Sequence, residues 1–164
     1  MRKFLFVLLL VLALPATAGA RSVSEPSKWG IGFMLGQPTG LTLKHWFGGS
    51  DAFDLAVGGG PGLRVHGDYL FGLAQISRSS DLNVDLYLGP GAIIGFDRDR
   101  WCGWRHDFCH DDDGYLGVRA AFGIDFVFRR APVNFGLELA PAVVMDTHDA
   151  DGMLDANVYV RFLL

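Results

Sequence analysis

After its first residues the chain has no apolar run long enough to cross a bilayer as a helix, so a membrane protein built from helices is excluded. Lysine is rare beside arginine, the formal net charge is only -4, and no basic patch interleaved with aromatic residues occurs. Nucleic acid is therefore set aside as a partner. Cysteine is scarce too: Cys102 and Cys109 are the two in the chain. In contrast, 22 glycines and an aromatic content of 13% favour turns and strands over helices.

The opening stretch MRKFLFVLLLVLALPATAGA has two basic residues, a leucine-rich core from Phe4 to Leu14, and the small residues Ala18-Gly19-Ala20. That is the pattern of a secretory signal peptide over residues 1–20, with cleavage after Ala20. A spanning helix would need roughly 20 apolar residues, more than this core supplies. With no cysteine near the cleavage site, a lipid anchor is not expected, and Arg21 would open the mature chain. Residues 21–28 (RSVSEPSK) read as a short periplasmic lead-in, and 29–164 as one domain.

Within that domain, strand signals recur at intervals of roughly a dozen residues, the rhythm of an all-β sandwich or barrel. They predict strands over 29–36, 39–47, 52–59, 63–74, 81–95, 114–128, 132–145 and 153–164. Each alternates at period two. In the last, Leu154, Ala156, Val158, Val160, Phe162 and Leu164 oppose Asp155, Asn157, Tyr159 and Arg161. In the first, Trp29, Ile31, Phe33 and Leu35 oppose Gly30, Gly32 and Gly36. An even number of strands, apolar on one face and charged on the other, predicts an eight-stranded antiparallel up-and-down transmembrane β-barrel. Closure satisfies every backbone polar group without an edge, as hydrocarbon demands.

Such a barrel has an interior just wide enough for its own side chains. The inward set is Lys44, Asp54, Arg64, His66, Asp68, Asp85, Arg119, Asp125, Glu138, Asp155 and Arg161. Both signs are present, which predicts an ion-pair network, because buried charges are costly unless paired. Trp29, Trp46, Tyr69 and Phe71 fall near strand ends and are expected in an aromatic girdle on the periplasmic side. Periplasmic turns are expected at 48–51, 75–80 and 129–131, and external loops at 37–39, 60–62, 96–113 and 146–152. The competing soluble reading reverses the faces, giving a periplasmic β-barrel that binds an apolar ligand.

The longest loop, FDRDRWCGWRHDFCHDDDG, holds both cysteines. In an exported chain, an even cysteine count favours a disulfide between Cys102 and Cys109. A metal site of Cys102, His106, Cys109 and His110 is the alternative, although this spacing matches none of the usual zinc motifs. Asp111, Asp112 and Asp113 fail the calcium-loop pattern, since Cys109 and Ala120 occupy the first and last ligand positions. Trp101, Trp104 and Phe108 could contact a surface ligand. A lipid hydrolase is the remaining alternative, weakly supported because the serines lie in the lead-in or in predicted turns, away from His66. No cofactor and no catalytic residue is expected.

The stretch GIGFMLGQPTGLTLKHWFGG, with LELAP at 137–141, resembles a family of small bacterial outer-membrane β-barrel proteins of uncharacterised activity, and more broadly the OmpA/OmpX-type eight-stranded barrel. The resemblance implies residence in the outer membrane of a Gram-negative-type bacterium, contact with outer-membrane lipid, and handling by the barrel-assembly machinery. Such barrels commonly end on an aromatic residue, whereas this chain ends Phe162-Leu163-Leu164.

Overall fold

Period-two alternation becomes a closed wall in the computed structural model, which describes residues 28–48, 51–59, 62–97, 101–102, 109–110, 114–146 and 150–164. The wall consists of β1 (Trp29–Gly36), β2 (Thr39–Gly48), β3 (Asp51–Gly59), β4 (Gly62–Arg78), β5 (Leu82–Asp97), β8 (Gly114–Phe128), β9 (Val133–Met145) and β10 (Ala150–Leu163). Between β5 and β8, β6 (Trp101–Cys102) and β7 (Cys109–His110) form a separate two-stranded ladder. Each barrel strand pairs antiparallel with its neighbours in the chain, and β1 pairs with β10 to close the ring. No helix occurs among the described residues. The near end of the barrel carries the start of β1 and the β2–β3, β4–β5 and β8–β9 connections; the far end carries the others.

Alternation decides which side chains enter. Along β10, Val160 is 50% exposed and the adjacent Arg161 only 1%. Phe33, Leu41, Leu116, Leu139 and Phe162 are likewise exposed, whereas Lys44, Asp54, Asp68, Asp125 and Asp155 are buried. This is the reverse of a water-soluble domain, where charged groups are almost never buried and large exposed apolar patches are rare.

Three inward tyrosines fix the register from inside. Tyr87 stands opposite Gly123, Tyr115 opposite Gly95, and Tyr159 opposite Gly136 in the strand pairing. In each pair the ring lies across the glycine, and a Cβ there would run into it. Glycine in a strand often marks such a close approach, and an aromatic neighbour covers the backbone it leaves open. Gly30 plays a similar part on β1, where an added Cβ would come within 3.1 Å of the Trp46 ring.

The structure corrects three expectations. Trp46 is not in the girdle; it is 6% exposed and fills the near end of the lumen, as the parity of Thr42 and Lys44 on the same strand requires. The outward row instead runs Trp29, His45, Phe47, Tyr69 and Phe71, with successive ring centroids 4.0, 5.0, 5.9 and 4.8 Å apart. Residues 75–78 are strand, not turn. β4 runs on to Arg78 through two register shifts, at Gly72/Ala74 and Gln75/Ser77, which place the extra residues Leu73 and Ile76 on the exposed side. Finally, β10 begins at Ala150, shortening the last far-end connection.

Candidate functional site

Inward parity brings a charged side chain from every barrel strand except β1 into one lumen. Of the sequence-derived set, Lys44, Asp54, Arg64, His66, Asp68, Arg119, Asp125, Glu138, Asp155 and Arg161 are buried there. Asp85 is half-buried at the near end, where it accepts a hydrogen bond from Gln75 Nε2 at 3.1 Å. The buried groups sort into two layers.

In the lower layer, Arg161 pairs with Asp54 and donates from Nη2 and Nε to Thr42 Oγ1 at 2.8 and 3.0 Å. Its Nη1 reaches Asn134 Oδ1 at 3.3 Å. Thr42 in turn donates to Asp54 Oδ1 at 3.0 Å. Lys44 pairs with Asp125, which also accepts from Asn134 Nδ2 at 2.9 Å and from the Tyr159 hydroxyl at 2.6 Å. Two cations meet two carboxylates. Aromatic faces complete the cage: the Arg161 guanidinium lies 3.8 Å from the Tyr159 ring centroid, and Lys44 Nζ lies 4.3 Å from that of Tyr87.

Arg119 is the hub of the upper layer. Its Nη2 donates to Glu138 Oε1 at 2.5 Å and its Nη1 to Asp155 Oδ2 at 3.2 Å. Its Nε lies 3.1 Å from Asp68 Oδ1, as an ion pair without hydrogen-bond alignment. Arg64 Nη1 reaches the other oxygen of Asp155 at 3.5 Å. Here three carboxylates face two guanidiniums. His66 Nε2 is 3.8 Å from Asp68 Oδ2, beyond hydrogen-bonding distance, and neither His66 Nδ1 nor Asp68 Oδ2 has a hydrogen-bond partner.

Two tyrosines join the layers. Tyr87 donates to Glu138 Oε2 at 2.9 Å, and its hydroxyl is 3.3 Å from that of Tyr159, the donor to Asp125. Apolar side chains close both ends of the stack, Trp46, Leu70, Val127 and Leu163 at the near end and Ile93, Tyr115, Val144 and Met153 at the far end. The inward set drawn from acidic and basic residues alone omits Thr42, Asn134, Tyr87 and Tyr159. Strand parity places all four inward, so the signal was present in the alternation.

Chemically, this lumen holds charge in place and offers His66, Asp68 and Glu138 as a group whose donor atoms lie within 4.8 Å of one another. The described serines, Ser77, Ser79 and Ser80, are exposed at the near end, away from His66. In the far-end ladder, Cys102 stands opposite Cys109 and Trp101 opposite His110 in the backbone pairing. The signal peptide, the lead-in up to Ser27, Trp104, His106, Phe108 and Asp111 to Asp113 lie outside the described residues. No family model, no curated protein and no solved structure matches the chain.

Proposed function

We propose that the chain is an integral outer-membrane β-barrel protein of a Gram-negative-type bacterium, structural or surface-interacting in role, with a side-chain-filled lumen in place of an open pore. One observation carries the reading: apolar side chains cover the outside of the wall while ion pairs fill the inside. A lipid-facing band with an aromatic row at its border suits a bilayer and its interface. Water on the outside would face a continuous exposed apolar surface of the kind that soluble domains rarely carry. For the same reason the soluble barrel with an apolar ligand is disfavoured.

In this reading residues 1–20 direct export, the barrel-assembly machinery inserts the mature chain, and the near end faces the periplasm. The far-end loop over residues 96–113 then reaches the medium. Cys102 and Cys109, opposite one another in their ladder, would close it as a disulfide. Trp101, Trp104 and Phe108 would supply contacts to a surface ligand, and deletion of residues 99–112 should leave the barrel folded while removing surface binding. The role in this reading is not catalytic.

Fractionation of cells expressing the full chain tests the proposal. Recovery in the outer membrane, with gel migration that changes on boiling, is the expected result. Recovery as soluble periplasmic protein would overturn it.

A further inference from the structure

The upper layer differs from the lower in that it leaves buried ligand atoms without hydrogen-bond partners, His66 Nδ1 and both oxygens of Asp68. His66 and Asp68 are two residues apart on β4, so both point inward, and Glu138 reaches them from β9. We propose that His66, Asp68 and Glu138 bind one divalent transition-metal ion inside the barrel, with zinc the best fit. The inference concerns the lumen alone and holds wherever the barrel resides.

Donor chemistry is the first argument. One imidazole and two carboxylates, with a fourth position open, form a set that zinc accepts in tetrahedral geometry. Ligand bonds of about 2.0 to 2.2 Å bring such donors to roughly 3.5 Å from one another. Because the three already lie within 4.8 Å, small side-chain rotations close the site.

The surrounding shell is the second. Arg119 holds Asp68 by Oδ1 and Glu138 by Oε1, and Tyr87 donates to Glu138 Oε2. These contacts orient both carboxylates and leave Asp68 Oδ2 and His66 Nδ1 without hydrogen bonds. Outer partners of this kind fix metal ligands in place. The positive charge of Arg119 does not stand against the ion, since it is shared among Asp68, Glu138 and Asp155.

Charge balance is the third. In the upper layer Asp68, Glu138 and Asp155 face Arg64 and Arg119, so this layer carries one carboxylate beyond its basic groups, while Asp85 stands apart at the near end. The excess negative charge therefore lies beside the proposed ligands. A buried uncompensated charge is strongly unfavourable, and the lower layer, already balanced, has no room in its ledger for a cation.

The test is zinc content after folding. The full mature chain is folded with zinc chloride, desalted, checked for strand structure by circular dichroism, and analysed for metal by mass spectrometry. H66Q, D68N and the loop variant C102S/C109S are treated alike. The expected result is one zinc per folded wild-type barrel, retained in C102S/C109S and reduced at least about tenfold in H66Q and D68N. A folded wild type without zinc, as when protons balance the charge instead, would overturn the proposal. Zinc unchanged in folded H66Q and D68N would overturn it as well. Neither outcome bears on membrane residence, which fractionation decides.

Discussion

The outer wall and the lumen are made by the same strands, one residue apart, yet they obey opposite rules. Outside, Leu139, Val160 and Phe162 are exposed and apolar, and in a lipid surround exchanging one for another would cost little. Inside, each charge depends on named partners. Arg119 alone contacts three carboxylates, and Tyr159 and Tyr87 carry hydrogen bonds from one layer to the next. On the proposed reading the wall would tolerate variation in detail but not in polarity, whereas the lumen would tolerate neither.

Substitutions that cross this division have the largest expected effects. Arg119→Leu leaves Glu138, Asp68 and Asp155 buried without their common partner and should lower stability by about 3 to 5 kcal/mol. Its urea midpoint in detergent micelles checks this, and an unchanged midpoint would defeat the ion-pair network. Next comes Leu139→Arg, on the outward face in the middle of β9, where it pairs with Phe122 and Ala156. In a bilayer it should cost about 2 to 4 kcal/mol. On a wall facing water the same arginine would be harmless, so folding yield in lipid vesicles separates the two surroundings.

Gly136→Ala probes the lumen without touching a charge. The added methyl would meet the Tyr159 ring and lie 2.6 Å from the Ile124 carbonyl oxygen. Displacing the ring should cost about 1 to 3 kcal/mol and weaken the Tyr159 bond to Asp125. Chemical denaturation of G136A beside a Tyr159→Phe variant would show whether steric and hydrogen-bonding losses overlap. The smallest effect belongs to the near-end rim, where Arg130 Nε lies 2.5 Å from Asp81 Oδ1 with the arginine side chain 80% exposed. Arg130→Ala should leave the urea midpoint unmoved, because solvent screens such pairs.

Much of this architecture was legible in the alternation itself. Asp155 to Arg161 and Val133 to Leu139 alternate without interruption, so their faces could be assigned residue by residue, whereas the bounds fall at Val133–Met145 and Ala150–Leu163 and not at 132–145 and 153–164. The legibility fails where the backbone stops alternating. At Leu73 and Ile76 an extra residue shifts the parity each time, so a continuous strand reads as a polar turn over 75–80. The error over Trp46 has a different origin. Its indole suits an interface as well as a core, and only the inward parity of β2 and the space above Gly30 decide between them. Pairing within the lumen was not legible at all. Lys44 and Asp125 are distant in sequence, and strand tilt and stagger around the closed ring set which inward residues meet.

The central claim is that the exposed apolar face touches lipid, and a nitroxide label on that face tests it most directly. Leu139→Cys in the C102S/C109S background, labelled and reconstituted in phospholipid bilayers, would report collisions with oxygen and with a water-soluble nickel complex. The account predicts high oxygen and low nickel accessibility at this position. Nickel accessibility equal to that of a label on an exposed aqueous loop would place the wall in water and contradict it.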